Sequence, residues 1–154
     1  VAFGANLGDR AATIQAAADE LAATEGVELV TLAPVMETAA VRPYGIDREA
    51  PAYLNTVAVI RTTLDPAELH AVLRRLEDAH GRVRTQRWGD RTLDLDLIVY
   101  DDLVQDDPEL TLPHPRAHER DFVLRPWLAA DPLAELPGHG RIDRLLDELE
   151  GGAA

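Results

Sequence analysis

Residues 53–81 read YLNTVAVIRTTLDPAELHAVLRRLEDAHG, and two periodicities meet in that stretch. Tyr53 to Leu64 alternates well enough for a strand. Asp65 then supplies a helix N-cap, Pro66 occupies the first helical position, and Glu68 stands at capping-box spacing from Asp65. Leu69, Val72, Leu73 and Leu76 recur as the buried stripe of a helix, and Gly81 is its C-terminal stop. Beyond an Arg-rich segment, LDLDLIVY (93–100) reads as the next strand. Working backwards, VAFGANLGDR (1–10) reads as a strand end, a Gly-rich turn and a helix start capped by Asp9. Ile14, Ala17, Ala18 and Leu21 give that helix its apolar face, with Gly26 as its stop. VELVTLAPVM (27–36) is strand-like, and ETAAVRPYGIDREAPAYLN (37–55) is a long connection of the kind that is usually functional or mobile. The order strand, helix, strand, strand, helix, strand is that of a split βαβ unit. The expected fold class is therefore α+β: a ferredoxin-like core with a mainly antiparallel sheet and helices on one face. Extra C-terminal elements follow: a turn and short strand in 101–115, a helix centred in 116–132, and a closing helix over 142–150.

The 154 residues are most simply one domain, 1–154, and at 46% hydrophobic they can bury a compact core. Cysteine is absent. That excludes disulfides, thiolate metal sites and Cys nucleophiles, and it fits a cytoplasmic location. No apolar run is long enough to span a bilayer, and no secretory signal is visible. The chain opens at Val1 inside an apolar stretch without Met, so further residues of the first strand are expected to precede it. All 15 basic residues are Arg, which excludes P-loop and Schiff-base lysines. A net charge of -13 opposes association with long polyanions such as nucleic acid. A local cluster of cations in such a chain suits a small polyanion instead.

That cluster is GRVRTQRWGDRTLDLDLIVY (81–100), where Arg82, Arg84, Arg87 and Arg91 surround Trp88. On a strand, Asp94 and Asp96 point to one face, with Leu95 and Leu97 toward the core. Two carboxylates about 7 Å apart repel unless a cation lies between them, and Mg²⁺ prefers hard oxygens of this kind. A solvated polar face bearing two acids is the plain alternative. Guanidinium groups match phosphate oxygens through paired hydrogen bonds, so acids, metal and arginines together fit a nucleoside triphosphate in transfer chemistry. The plain alternative is a surface loop whose arginines pair with nearby acids. Trp88 suits stacking or a packing lid, while Trp127 reads as core. His114, between two prolines in LPHP, suits phosphate or ribose, or simply a turn that pairs with an acid. Tyr53 and Asn55 share one strand face and suit a polar heterocycle; a buried, satisfied Asn is the alternative.

Taken together, RWGDRTLDLDLI (87–98) resembles the signature of the 6-hydroxymethyl-7,8-dihydropterin pyrophosphokinase family of folate biosynthesis. FGANLGDR resembles the family's opening GSNLGDR. ET, YLN, GRVR, LTLPHP and RDFVLRPW follow in the family's order over nearly the whole chain. The resemblance implies transfer of the terminal two phosphates of ATP to the hydroxymethyl group of the reduced pterin, with release of AMP. Asp94 and Asp96 match the ligands of two Mg²⁺ ions, and Arg82 and Arg91 join them as implied catalytic positions. Arg84, Arg87, Trp88, Leu97, Thr111, His114 and Arg120 match ATP-binding positions, with Arg74 and Glu77 at the edge of that site. Asn6, Thr38, Val41, Tyr53, Asn55 and Phe122 match the pterin pocket, where Tyr53 and Phe122 would sandwich the ring and Asn55 would read its amide-like edge. The implied partners are these two small molecules, with neither nucleic acid nor membrane, and the implied state is a monomer.

Several positions depart from the family pattern. Ala5 replaces Ser, Asp90 replaces Pro, Thr85 stands nearest a Lys that some members carry, and Glu109 and Pro115 alter the ATP rim. The segment from Arg82 to Arg91 is expected to act as a lid, mobile without ATP and ordered with both substrates. Rival readings are a glycosyltransferase using the Asp-x-Asp acids, a nucleic-acid-binding module built on the Arg–Trp loop, and an inactive relative with a scaffolding role.

Overall fold

The structure, a computed structural model, describes residues 1–5, 9–38, 40–42, 45–47, 53–80 and 93–152, with backbone alone at 40–42, 45–47 and 152. β1 (Ala2–Ala5) leads to α1 (Arg10–Ala22), β2 (Val27–Leu32) and β3 (Met36–Thr38). A small hairpin follows, β4 (Ala40–Arg42) and β5 (Gly45–Asp47), and then the long β6 (Tyr53–Thr62). α2 (Pro66–Ala79) and β7 (Asp94–Asp96) complete the core unit. The remaining elements are the hairpin β8 (Gln105–Asp106) and β9 (Thr111–Leu112), a 3₁₀ turn at Ala117–Glu119, and α3 (Asp121–Ala130). A last hairpin, β10 (Glu135–Leu136) and β11 (Gly140–Arg141), leads into α4 (Ile142–Gly152).

The central sheet has the order β2-β6-β1-β7, antiparallel throughout, with β3 also on β6. This is the split βαβ arrangement: β6 is inserted between β1 and β2, and β7 adds on the far side of β1. The strand expected over 27–36 is broken. Pro34 has no N–H for a ladder, so β2 and β3 pair separately with successive parts of β6. The shift between Leu29 and Thr31 in the β2 ladder leaves Val30 44% exposed. The connection expected over 37–55 instead contributes the end of β3 and the β4–β5 hairpin. The strand expected over 93–100 forms a ladder with β1 only at Asp94–Asp96.

Local signals act where they were read. Asp9 Oδ1 accepts from the Ala12 N–H at 3.2 Å. Asp65 Oδ1 accepts from the Glu68 N–H at 2.8 Å, and Glu68 Oε1 accepts in return from the Asp65 N–H at 3.3 Å. α1 ends at Ala22 with Ala23 as its cap, and Gly26, at φ +87°, makes the turn into β2 rather than the helix stop. A Cβ there would meet Thr63 Oγ1 at 3.0 Å as well as an unfavourable φ.

Helices cover both faces of the sheet, not one. α1 and α2 pack on Phe3, Ala5, Ala58 and Leu95. α3, with α4 behind it, packs Val123, Leu124, Trp127, Ile142 and Leu146 against Val57 and Ile98 on the opposite face. Both hydrophobic layers follow from strand alternation, which sends Phe3 and Leu95 one way and Ala2 and Val57 the other. Trp127 is core, as expected.

Candidate active site

The register decides which side chains meet. β1 pairs Gly4 with Asn55 on one side and with Asp94 on the other, while Ala2 pairs with Asp96. Cross-strand partners share a face, so Asp94, Asp96, Gly4, Asn55 and Tyr53 all lie on the α3 side, with Asp96 level with Val57 and the others toward the end of the sheet beyond it. Asp94 and Asn55 are two strand spacings apart, about 10 Å. Gly4 between them carries no side chain, and a Cβ there would stand 3.2 Å from Asn55 Oδ1 and 3.8 Å from Tyr53 Cδ1. The sequence thus builds a trough floored by the backbone of β1. One wall carries two carboxylates and the other carries Asn55 and Tyr53.

The polar wall is organised. Asn55 is 7% exposed, and its Nδ2 donates to the Thr38 hydroxyl at 2.8 Å. β3 holds Thr38 there by pairing with Tyr53. A buried amide held through its nitrogen presents its oxygen in a fixed direction, which suits reading a donor on a flat heterocycle. Arg120 stacks over the Phe122 ring at 5.6 Å, at the start of α3. Val41 lies on β4.

On the acidic wall, Asp94 and Asp96 are both half-buried around the fully buried Leu95. Among the described residues, no group of three or more His, Asp or Glu side chains converges on one point. Two hard carboxylates without nitrogen ligands fit Mg²⁺, which takes one or two carboxylates and completes its shell from phosphate and water.

His114 follows the cis Leu112–Pro113 peptide. Its backbone N–H donates to the Ile98 carbonyl at 2.8 Å, and its Nδ1 accepts from the Arg116 N–H at 3.2 Å. Burial pushes its pKa below the ordinary 6.5. The field of Asp96 opposes that shift, and Arg120 and Arg116 add to it. A neutral imidazole accepting at Nδ1 carries its proton on Nε2, which makes His114 a hydrogen-bond donor at neutral pH rather than a cation.

Leu97 is 5% exposed and packs in the core, the side to which strand alternation directs it. Thr111, on β9, is half-buried. Glu77 is 1% exposed, with Oε2 accepting from the Leu95 N–H at 2.9 Å and Oε1 2.9 Å from Arg74 Nη1. It replaces Leu76, which is only partly buried, in the inward stripe of α2. Asn6, Arg82, Arg84, Arg87, Trp88 and Arg91, and with them the expected lid, lie outside the described residues. The sequence reading also missed His70. Burial and Arg74 lower its pKa, while Asp96 and Glu109 act against that. Its place four residues before Arg74 and seven before Glu77 on one helix is the signal that would have found it.

The family model of 7,8-dihydro-6-hydroxymethylpterin-pyrophosphokinase matches residues 1–132. The chain is 43% identical to the 2-amino-4-hydroxy-6-hydroxymethyldihydropteridine pyrophosphokinase of Mycobacterium leprae, over 97% of this chain and 82% of that protein. It is 36% identical to the Haemophilus influenzae protein of the same name, over 97% of this chain and 91% of that one. Similarity extends to the folic acid synthesis protein fol1 of Schizosaccharomyces pombe, 35% identical over 97% of this chain, which spans 20% of that longer protein. The chain belongs to the 7,8-dihydro-6-hydroxymethylpterin-pyrophosphokinase family, and its activity is that of an ATP-dependent pyrophosphokinase in folate synthesis.

Proposed function

We propose that the trough over Gly4 is where the pterin and the phosphates of ATP meet. The carrying observation is that one backbone-floored groove joins the Asn55–Thr38 pair to the Asp94–Asp96 pair across two strand spacings. The Asn55 amide oxygen reads the donor edge of the pterin, and Tyr53 and Phe122 flank its ring, with Asn6 and Val41 completing the pocket. The pterin's hydroxymethyl oxygen attacks the β-phosphorus of ATP, the bond from that phosphorus to the α–β bridging oxygen breaks, and AMP leaves.

Asp94 and Asp96 would hold two Mg²⁺ ions, which when bound neutralise phosphate charge and polarise the phosphoryl group. Arg82 and Arg91 bind the transferring phosphates. Arg84, Arg87 and Trp88 close over ATP, and Thr111, neutral His114 and Arg120 hold its nucleoside side. Concentrating cations here counters the repulsion that a chain of net charge -13 exerts on ATP. The enzyme works as a single-domain monomer in the cytoplasm, without nucleic acid or membrane as a partner. The absence of cysteine supports that setting, and no helix among the described residues is long and apolar enough to cross a membrane.

Incubation with ATP, Mg²⁺ and the reduced pterin alcohol, followed by nucleotide separation, tests the reading. AMP forms only when the pterin is present, and ADP does not. Accumulation of ADP or free phosphate would overturn the proposal.

A further inference from the structure

Among the described residues, β7 pairs with β1 on one side and ends the sheet on the other. An edge strand leaves alternate N–H and C=O groups without a ladder partner. In β7 those groups belong to Leu95, the residue between the two aspartates. Its N–H donates to Glu77 Oε2 at 2.9 Å, and its C=O accepts from Arg74 Nη2 at 2.5 Å. Glu77 Oε1 and Arg74 Nη1, 2.9 Å apart, close the ring. Two side chains one helical turn apart on α2 thus present to Leu95 the acceptor and donor that a neighbouring strand would present.

A charged pair is an expensive way to guard an edge. Glu77 is 1% exposed, and a buried carboxylate is tolerated only when paired and hydrogen-bonded. Its position indicates what the pair holds. The peptide joining Asp94 to Leu95 carries the N–H held by Glu77, and the peptide joining Leu95 to Asp96 carries the C=O held by Arg74. Alternation directs the remaining main-chain groups of Asp94 and Asp96 toward Gly4 and Ala2. Both peptide planes between the aspartates are therefore held at both ends, by β1 and by α2, and neither aspartate can rotate about the strand.

We propose that Glu77 and Arg74 are positioning residues that act as a surrogate strand, setting the spacing and direction of the Asp94 and Asp96 carboxylates for divalent metal. The proposal rests on the reading of those aspartates as metal ligands given above. It assigns Glu77 to the metal strand rather than to contact with the nucleotide.

The test compares the intact enzyme with Glu77→Leu, Glu77→Gln and Arg74→Met by two measurements: amide hydrogen exchange at Leu95 without ligands, and the Mg²⁺ concentration giving half-maximal turnover. In Glu77→Leu, Leu95 exchange accelerates by about ten- to a hundredfold with the loss of a buried acceptor. Half-saturation by Mg²⁺ rises by about tenfold or more, as when other outer-shell partners of metal ligands are removed. Glu77→Gln keeps an acceptor oxygen and restores both values to within about threefold of the parent. Arg74→Met, at a half-exposed site, moves both in the same direction by less, and it carries the test if Glu77→Leu does not fold. Unchanged Leu95 exchange in the variants that remove a partner overturns the proposal. Faster exchange with unchanged Mg²⁺ dependence also overturns it, leaving the pair as an edge guard alone. A Glu77→Gln defect as large as that of Glu77→Leu, confined to the KM for ATP, would make Glu77 a nucleotide contact. Full activity in Asp94→Asn would remove the metal reading itself, whatever Leu95 does.

Discussion

Asn55 and Gly4 face each other across the β1–β6 ladder, and the Asn55 side-chain oxygen sits 3.2 Å from the point where a Cβ on residue 4 would stand. The glycine is therefore a shape requirement of the amide. Gly4→Ala should push Asn55 by a few tenths of an ångström against its bond to Thr38. The expected result is a rise of about tenfold in the KM for pterin, the cost of one hydrogen bond to ligand, with the KM for ATP within about twofold of the parent. Steady-state kinetics with each substrate varied in turn is the check, and an equal change in both constants would refute the assignment of this wall to the pterin.

Asp94→Asn and Asp96→Asn separate chemistry from stability. Each should lower kcat by on the order of 10²–10³ or more. The melting temperature of the ligand-free protein should stay level or rise, since one source of carboxylate repulsion is gone. A large fall in melting temperature with activity retained would identify the pair as structural.

Stability should depend on pH through His70 and His114. Burial is the first cause that lowers both from the ordinary 6.5. A histidine whose folded pKa is depressed binds its proton more readily when unfolded. Its contribution is complete above about 6.5 and is lost as pH falls from there through the lower folded values. The part of the melting temperature set by these two groups should therefore be nearly flat from pH 7 to 8 and decline below pH 6.5. His70→Leu and His114→Asn should each flatten that decline, the second by more because His114 is the more enclosed. A decline of unchanged slope in both variants would exclude these two groups as its source.

Asp65→Ala removes the capping box of α2, far from the trough. The loss should be about 1 kcal/mol, or about 2–4 °C in melting temperature for a chain of this size. Activity should be unchanged at temperatures where the protein is folded. Thermal melts and a single-temperature assay suffice, and a fall in kcat would show that the cap governs more than the helix end.

What could be read in advance divides along physical lines. The Asp65–Pro66–Glu68 start of α2 and the Asp9 cap of α1 were legible because capping is settled within four residues. The shared face of Asp94 and Asp96 was legible from strand alternation alone. Gly4 was not, because its role comes from register with Asn55 and Asp94, which are distant in sequence. Glu77 read only as the edge of the implied ATP site, since charge is normally exposed; only the edge of β7 gives it a reason to be buried. The second helical layer was missed for a related reason. The alternation that buries Phe3 and Leu95 leaves Ala2, Val57 and Ile98 on the other face, and the sequence does not announce that α3 returns to cover them. β3 and the β4–β5 hairpin are too short to announce themselves without their partners. Arg82, Arg84, Arg87, Trp88 and Arg91 remain legible by residue type alone.

The sheet order β2-β6-β1-β7 makes the first strand an inner one and the aspartate strand the last to join. During synthesis, β1 therefore waits for partners made much later. At about 5–20 residues per second, Asp94 and Asp96 leave the ribosome on the order of five to twenty seconds after Gly4. The wall carrying Asn55 can assemble as soon as β6 pairs with β1 and β3, whereas the acidic wall requires nearly two thirds of the chain. A ribosome-bound chain stopped just after α2 would hold Asn55, Thr38 and Gly4 and lack both aspartates. The nascent protein thus gains Gly4, Thr38 and Asn55 of the trough before either aspartate, and Phe122 after both.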